Sequence, residues 1–98
     1  MTHIEFSRTF ADDIDRIIDH LLQHDAVGID ARIREILSAI DVLGENPRIG
    51  RRVDAGRREL VIGRETHGYL ALYRYTMASD TVHILAIRSQ REAGYSPD

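Results

Sequence analysis

Three runs in the second half of the chain, ELVI (59–62), YLALYRY (69–75) and TVHILAI (81–87), are rich in β-branched and aromatic residues and are separated only by GRETHG and TMASD. Side chains of these types fit the pleated, half-buried surface of a strand. Connections this short make neighbouring strands antiparallel, because a parallel pair needs a crossover of a dozen or more residues. The chain is therefore committed to a small sheet with an apolar face, and that face must be covered by something earlier in the sequence.

The first half supplies the cover. THIEF (2–6) alternates, with Ile4 and Phe6 on one side, and reads as a short strand. Ser7 suits a helix N-cap, and Asp12 and Asp13 lie near enough to the first turn to favour the helix dipole. Phe10, Ile14, Ile17, Ile18, Leu21 and Leu22 then recur at helical spacing. HDAVGID interrupts the pattern, and a second helix carries Ile29, Ile33, Ile36, Leu37, Ile40 and Leu43 before Gly44 and the following Glu-Asn-Pro end it. A break this short predicts an antiparallel helical hairpin. PRIGRRVDAGRR (47–58) reads as a connector rich in glycine and arginine. The expected fold is a single α+β domain over 1–98, order β-α-α-β-β-β: a small, mainly antiparallel sheet with an N-terminal helical hairpin packed on one face. A chain of 98 residues has room for one modest core.

Charge narrows the function. All thirteen basic residues are arginine, and lysine is absent. Arginine offers a planar fork to carboxylates and phosphates but stays protonated and carries protons poorly. The net charge of −3 argues against holding nucleic acid by general electrostatics. The charge is uneven, however: residues 1–45 hold four arginines against ten acids, and residues 46–98 hold nine against six. With no cysteine, disulfides, thiolate metal sites and thiol nucleophiles are excluded. No apolar run approaches a membrane span and none resembles a secretion signal, so the expected location is the cytoplasm.

The order of elements, with NPRIGR (46–51), RELVI (58–62), YLALYRY and ILAIRSQREAGY (84–95), resembles the RelE/ParE superfamily of toxins from bacterial type II toxin-antitoxin modules. The RELVI and LYR strands followed by a basic terminal segment look more like the ParE and plasmid-stabilisation branch. The resemblance covers nearly the whole chain and implies the α+β domain reached above. It also implies a cognate, ParD-like antitoxin that wraps the toxin in a hetero-oligomer. ParE-type members are implied to poison DNA gyrase, whereas RelE-type members are implied to cut messenger RNA on the ribosome.

Cutting RNA through its 2′-hydroxyl needs a proton acceptor, a clamp for phosphorane-like charge and a donor to the leaving oxygen. The resemblance implies that RelE-type toxins use sheet lysines and arginines with a terminal tyrosine. Arg91 and Tyr95 match the terminal pair of that pattern, but Leu70 stands where such enzymes carry arginine, and Glu59 and Val61 replace lysines. Leucine cannot neutralise a phosphate, and a carboxylate repels one. His67 is a candidate proton carrier for a ribonuclease and Glu92 a candidate base, with Arg58, Arg64 or Arg74 to supply charge.

Binding asks for less. Arg58, Arg64, Arg74, Arg88 and Arg91 with Tyr95 can line one end of the sheet with donors for acidic side chains of an antitoxin or a target. Glu92 can orient its neighbours through a salt bridge. Tyr69, Tyr73 and Tyr75 share one face of their strand and suit either an interface or the core. His20 and His24 share a helix face but lack a clear third ligand, so neither a metal nor another cofactor is expected. The reading favoured is a ParE-like gyrase inhibitor. The alternatives are a ribosome-dependent endoribonuclease and a non-toxic antitoxin-binding member.

Overall fold

The computed structural model describes residues 1–24, 27–64, 68–92 and 94–95. Its elements are β1 (His3–Phe6), α1 (Arg8–Gln23), α2 (Ile29–Asp41) ending in a 3-10 turn at Val42–Gly44, β2 (Arg51–Arg52), β3 (Arg58–Ile62), β4 (Tyr69–Thr76), a 3-10 turn at Met77–Ser79 and β5 (Thr81–Ser89). The strands form one five-stranded sheet of order β1-β5-β4-β3-β2. The three long apolar runs pair antiparallel, as their short connections require.

Three expectations need correction. The sheet is mixed: β1 runs parallel to β5, with Ile4 opposite Val82 and Phe6 opposite Ile84. A fifth strand lies inside the arginine-rich connector, where Arg51 pairs with Glu59 and Arg52 with Arg58. Finally, the helices lie between strands in chain order and do not make a self-contained N-terminal hairpin: α1 packs chiefly on β5, and α2 on β3 and its own 3-10 turn. Each apolar stripe buries more favourably on the broad sheet face than on a neighbouring helix.

The core lies between helices and sheet. Ile36, Ile40, Leu43, Tyr73, Val82, Ile84 and Ile87 are fully inaccessible, and Phe10, Ile17, Leu21 and Tyr69 nearly so. Burying an Ile or Leu side chain contributes about 1.5–3 kcal/mol. Tyr69, Tyr73 and the half-buried Tyr75 belong to this layer, so the tyrosine face of β4 is the core face. Leu22 and Leu37, at the margins of their stripes, stay exposed.

Between Leu72 and Tyr73 the register slips: Leu72 faces Ala86 but Tyr73 faces Ile84, so Leu85 is an extra residue on β5. A bulge of this kind leaves backbone groups without ladder partners. It lies just past the end of β1, and the start of α1 satisfies the groups there. Ser7 Oγ donates to the Leu85 carbonyl at 2.7 Å and accepts from Phe10 N at 3.0 Å, so one hydroxyl caps the helix and ties it to the bulge. Asp13, fully buried, accepts from Ile87 N at 3.0 Å through Oδ2. Asp13 therefore serves the sheet rather than the helix dipole.

A second junction holds the loop before β2. The buried hydroxyl of Tyr73 accepts from Gly50 N at 2.9 Å. A Cβ at position 50 would stand 2.6 Å from Tyr73 Cε1 and 2.9 Å from the Glu59 carbonyl, so only glycine allows this approach.

Candidate functional site: the open face of the sheet

Alternation along β4 sends Leu70, Leu72 and Arg74 away from the helices. The register extends these positions into three cross-strand rows: Arg51, Glu59, Leu72 and Ala86; Val61, Leu70 and Arg88; and Arg74, His83 and Glu5. Leu70, Leu72 and Ala86 are at most 7% exposed although they point away from the core. The chain beyond β5 folds back across this face and brings Tyr95 to β3.

Tyr95 Oη donates to Glu59 Oε2 at 2.5 Å. The other carboxylate oxygen accepts from Arg51, whose Nε lies at 3.0 Å and whose Nη2 also contacts it. Arg88 stacks over the Tyr95 ring, 5.1 Å from its centroid, while its Nη1 donates to the Glu92 carbonyl at 2.7 Å. The buried Nε of Arg88 has no hydrogen-bond partner among the described residues. Ring stacking and the carbonyl bond are what position this guanidinium.

The electrostatics follow from the packing. Burial pushes the Glu59 carboxyl upward, but donors from Tyr95 and Arg51 and the charges of Arg51 and Arg88 outweigh it and hold the group below the usual carboxylate range. The Tyr95 phenol moves the other way. Burial, the bond to Glu59 and the negative charge of that carboxylate raise it well above the ordinary phenol value, against a smaller opposing pull from Arg88. At neutral pH the pair is a neutral phenol donating to an ionised carboxylate.

The turn after β5 is tied to α1. Glu92 Oε2 accepts from Arg16 Nη1 at 2.7 Å, and Glu92 Oε1 accepts from Ser89 N at 3.0 Å. Arg16 also lies 3.4 Å from Asp13. Burial lowers the Arg16 pKa, but the bonds and charges of Glu92 and Asp13 more than offset it, so the net shift is upward. Glu92 thus holds its own turn and joins it to α1.

Of the residues expected at a site, the fold brings Arg88 and Tyr95 together with Glu59 and Arg51. Arg58 is elsewhere: on the core side of β3, its Nη1 donates to the carbonyls of Arg48 at 3.0 Å and Gly50 at 2.9 Å. Arg64 is exposed in the turn after β3, and Arg91 is exposed beyond β5, where its backbone N–H donates to Ser89 Oγ at 3.2 Å. His67 lies outside the described residues. Arg74 is exposed at the far end of the open face, in a shallow groove shared with Glu5, Phe6 and His83, where His83 Nδ1 lies 3.4 Å from Glu5. His20 and His24 stack with ring centroids 4.2 Å apart. Among the described residues no group of three or more His, Cys, Asp or Glu side chains could hold a metal ion, and no helix is long and apolar enough to cross a membrane.

Sequence reasoning gave Asp13 only to the helix dipole, missed Arg16 and weighed Glu59 only as a charge that repels phosphate. One signal was present for the first: Asp13 is three residues after Phe10 and four before Ile17, on the buried stripe itself. Nothing local linked Glu59 to Tyr95.

Residues 4–94 match the family model for the ParE toxin of the type II toxin-antitoxin system parDE. Among solved structures, the chain is similar to one from the chromosomal ParDE toxin-antitoxin system of P. aeruginosa, with 24% identity, a TM-score of 0.71 and coverage of 91% of this chain and 96% of that one. It is also similar to a chain of the intact E. coli RelBE toxin-antitoxin complex, at 13% identity, TM-score 0.64, and coverage of 94% and 100%. A third likeness, to the RelBE2 complex of Mycobacterium tuberculosis, has 24% identity, a TM-score of 0.50 and coverage of 93% of both chains. No curated protein sequence matches the chain significantly. The structural likenesses carry the fold, and the match over residues 4–94 carries the lineage: this chain belongs to the ParE toxin family of type II toxin-antitoxin systems.

Proposed function

We propose that this ParE-family toxin stops growth in the cytoplasm by binding and inhibiting DNA gyrase, not by cutting RNA, and that a cognate antitoxin neutralises it in a hetero-oligomeric complex. The observation that carries the choice is the state of Glu59. A buried, ionised carboxylate occupies the middle of the open face, and it takes up both the Tyr95 hydroxyl and the Arg51 guanidinium. A ribonuclease on this face would need that phenol and that cation free to meet a phosphate. Here the phenol is hydrogen-bonded to a competing anion and its proton is held more tightly than usual.

Binding is served by the same arrangement. Arg88 and Tyr95 form a stacked cationic and aromatic pair, the combination enriched where protein surfaces meet with high energy. The antitoxin part of the reading rests on family membership and on the similar structures, which come from toxin-antitoxin systems and complexes.

The test uses the purified chain in two assays, gyrase supercoiling and cleavage of a translated message. Inhibited supercoiling with intact messages is the expected result. Ribosome-dependent cuts that disappear in Arg91→Ala or Tyr95→Phe would reverse the choice, and activity in neither assay would leave an antitoxin-binding protein without toxicity.

A further inference from the structure

Of the arginine-rich connector, the open-face site uses Arg51 alone. Its residues gather at another place, where β2, the start of β3 and the 3-10 turn after β4 enclose a pocket of about 300 Å³. Four guanidinium groups, from Arg48, Arg52, Arg57 and Arg58, line it against a single carboxylate, Asp54. Like charges confined to so small a space repel one another, and a bound anion relieves that repulsion.

The donors are unevenly engaged. Arg57 grips Asp54 through Nε at 2.8 Å and Nη2 at 2.6 Å, so this pair is internally matched. Arg58 points its Nη1 at the carbonyls of Arg48 and Gly50. Arg48 stacks 5.1 Å from the Tyr75 ring centroid and makes only a soft contact to Met77 Sδ at 3.2 Å. Arg52 is exposed and has no side-chain partner among the described residues. Two forks, on separate segments of chain, are therefore available.

We infer that this pocket is a binding site for an acidic peptide segment of a partner protein, with two neighbouring carboxylates received by Arg48 and Arg52. Three features select this ligand. Singly charged carboxylates suffer less than a dianionic phosphate from Asp54 in the pocket wall. Tyr75 and the exposed Met77 offer apolar surface for the aliphatic stems of the acidic residues or for an apolar neighbour. The net charge of −3, with ten acids against four arginines in residues 1–45, opposes a long polyanion such as nucleic acid. The site is independent of whether gyrase is the target.

The probe is a fluorescein-labelled hexa-aspartate peptide, titrated into the full chain at low salt and followed by fluorescence anisotropy. A guanidinium–carboxylate bond that is lost costs roughly tenfold or more in affinity. Arg48→Glu and Arg52→Glu should each weaken binding by about that factor, whereas Arg34→Glu, the same charge change on the exposed side of α2 and outside the pocket, should change it by less than about twofold, the effect of long-range attraction alone. Heteronuclear NMR should place the peptide's shifts on the backbone of residues 48–58 and 75–77, which locates the site even if one variant folds poorly. The inference fails if the three variants weaken binding equally, if the shifts fall on the open face instead, or if a single-stranded oligonucleotide of equal charge binds the pocket more tightly than the peptide.

Discussion

Tyr95→Phe removes one oxygen and tests the central contact of the open face. In the protein that oxygen donates to Glu59 Oε2 at 2.5 Å, on a carboxylate whose side chain is 6% exposed. Hydrogen bonds to charged groups contribute about 1.5–3 kcal/mol. Because Arg51 still serves the other oxygen, the lower part of that range applies, about 1.5–2 kcal/mol. For a domain of this size the melting temperature should fall by about 6–16 °C. The loss should also depend on pH, and its sign is fixed. A carboxylate held below its ordinary value of 4.5 contributes stability that is present above 4.5 and is lost as the pH falls through the folded-state value. Without the phenol, burial still pushes Glu59 up but fewer donors oppose it, so the variant gives up its carboxylate stabilisation at a higher pH than the parent. The difference between the two proteins should be largest near pH 7 and should shrink once both carboxyls are protonated. Urea denaturation at pH 7 and at pH 3 measures both quantities. A variant as stable as the parent at pH 7, or one whose deficit is the same at both pH values, would show that the Tyr95–Glu59 bond does not hold the tail.

Three other perturbations read the scaffold beneath the site. Asp13→Ala should cost about 1–3 kcal/mol by equilibrium unfolding, since it leaves the Ile87 N–H buried without an acceptor, and Asp13→Asn should cost less because an amide oxygen still accepts. Gly50→Ala should cost about 2–3 kcal/mol, because its Cβ meets both the Tyr73 ring and the Glu59 carbonyl, and calorimetry should show the lowered melting temperature. Arg16→Ala should leave global stability little changed but speed amide exchange at Ser89 about fivefold, the equivalent of the ~1 kcal/mol such a partly exposed pair contributes; unchanged exchange would mean that Glu92 holds the turn without help from α1.

The long strands and both helices were legible because their apolar periods persist over many residues and the turns between them are short. β2 was not, since two arginines carry no apolar alternation and become a strand only through pairing with Arg58 and Glu59. The parallel contact of β1 with β5 joins the two ends of the chain, and no local pattern encodes such a partner. For the tyrosines the difficulty was different. β4 is buried on both faces over Tyr69–Tyr73, so alternation could not say which face met the helices. Within the candidate site, Arg88 and Tyr95 could be singled out because they flank the exit of a strand. Their partner Glu59 lies 36 residues from Tyr95 and meets it only because the tail turns back across the sheet. Arg58 looked like its neighbours in sequence, but its side of β3 sends it to the Arg48 and Gly50 carbonyls.

Glu59 also limits how anything can dock on the open face. A partner that seats on Tyr95 and Arg88 as they stand meets a surface already ordered, and it avoids the entropy of arranging those side chains. A partner that displaces Tyr95 faces a different balance. It uncovers a carboxylate left with Arg51 as its one side-chain donor, and losing the phenol's bond to that charge costs about 1.5–2 kcal/mol. Such a partner must bring its own hydroxyl, amide or guanidinium to the place of the Tyr95 oxygen, whereas an ionised phosphodiester group is an acceptor only. The same carboxylate that weakens a nuclease reading therefore selects among protein partners: those that accept the latched tail, and those that replace its donor.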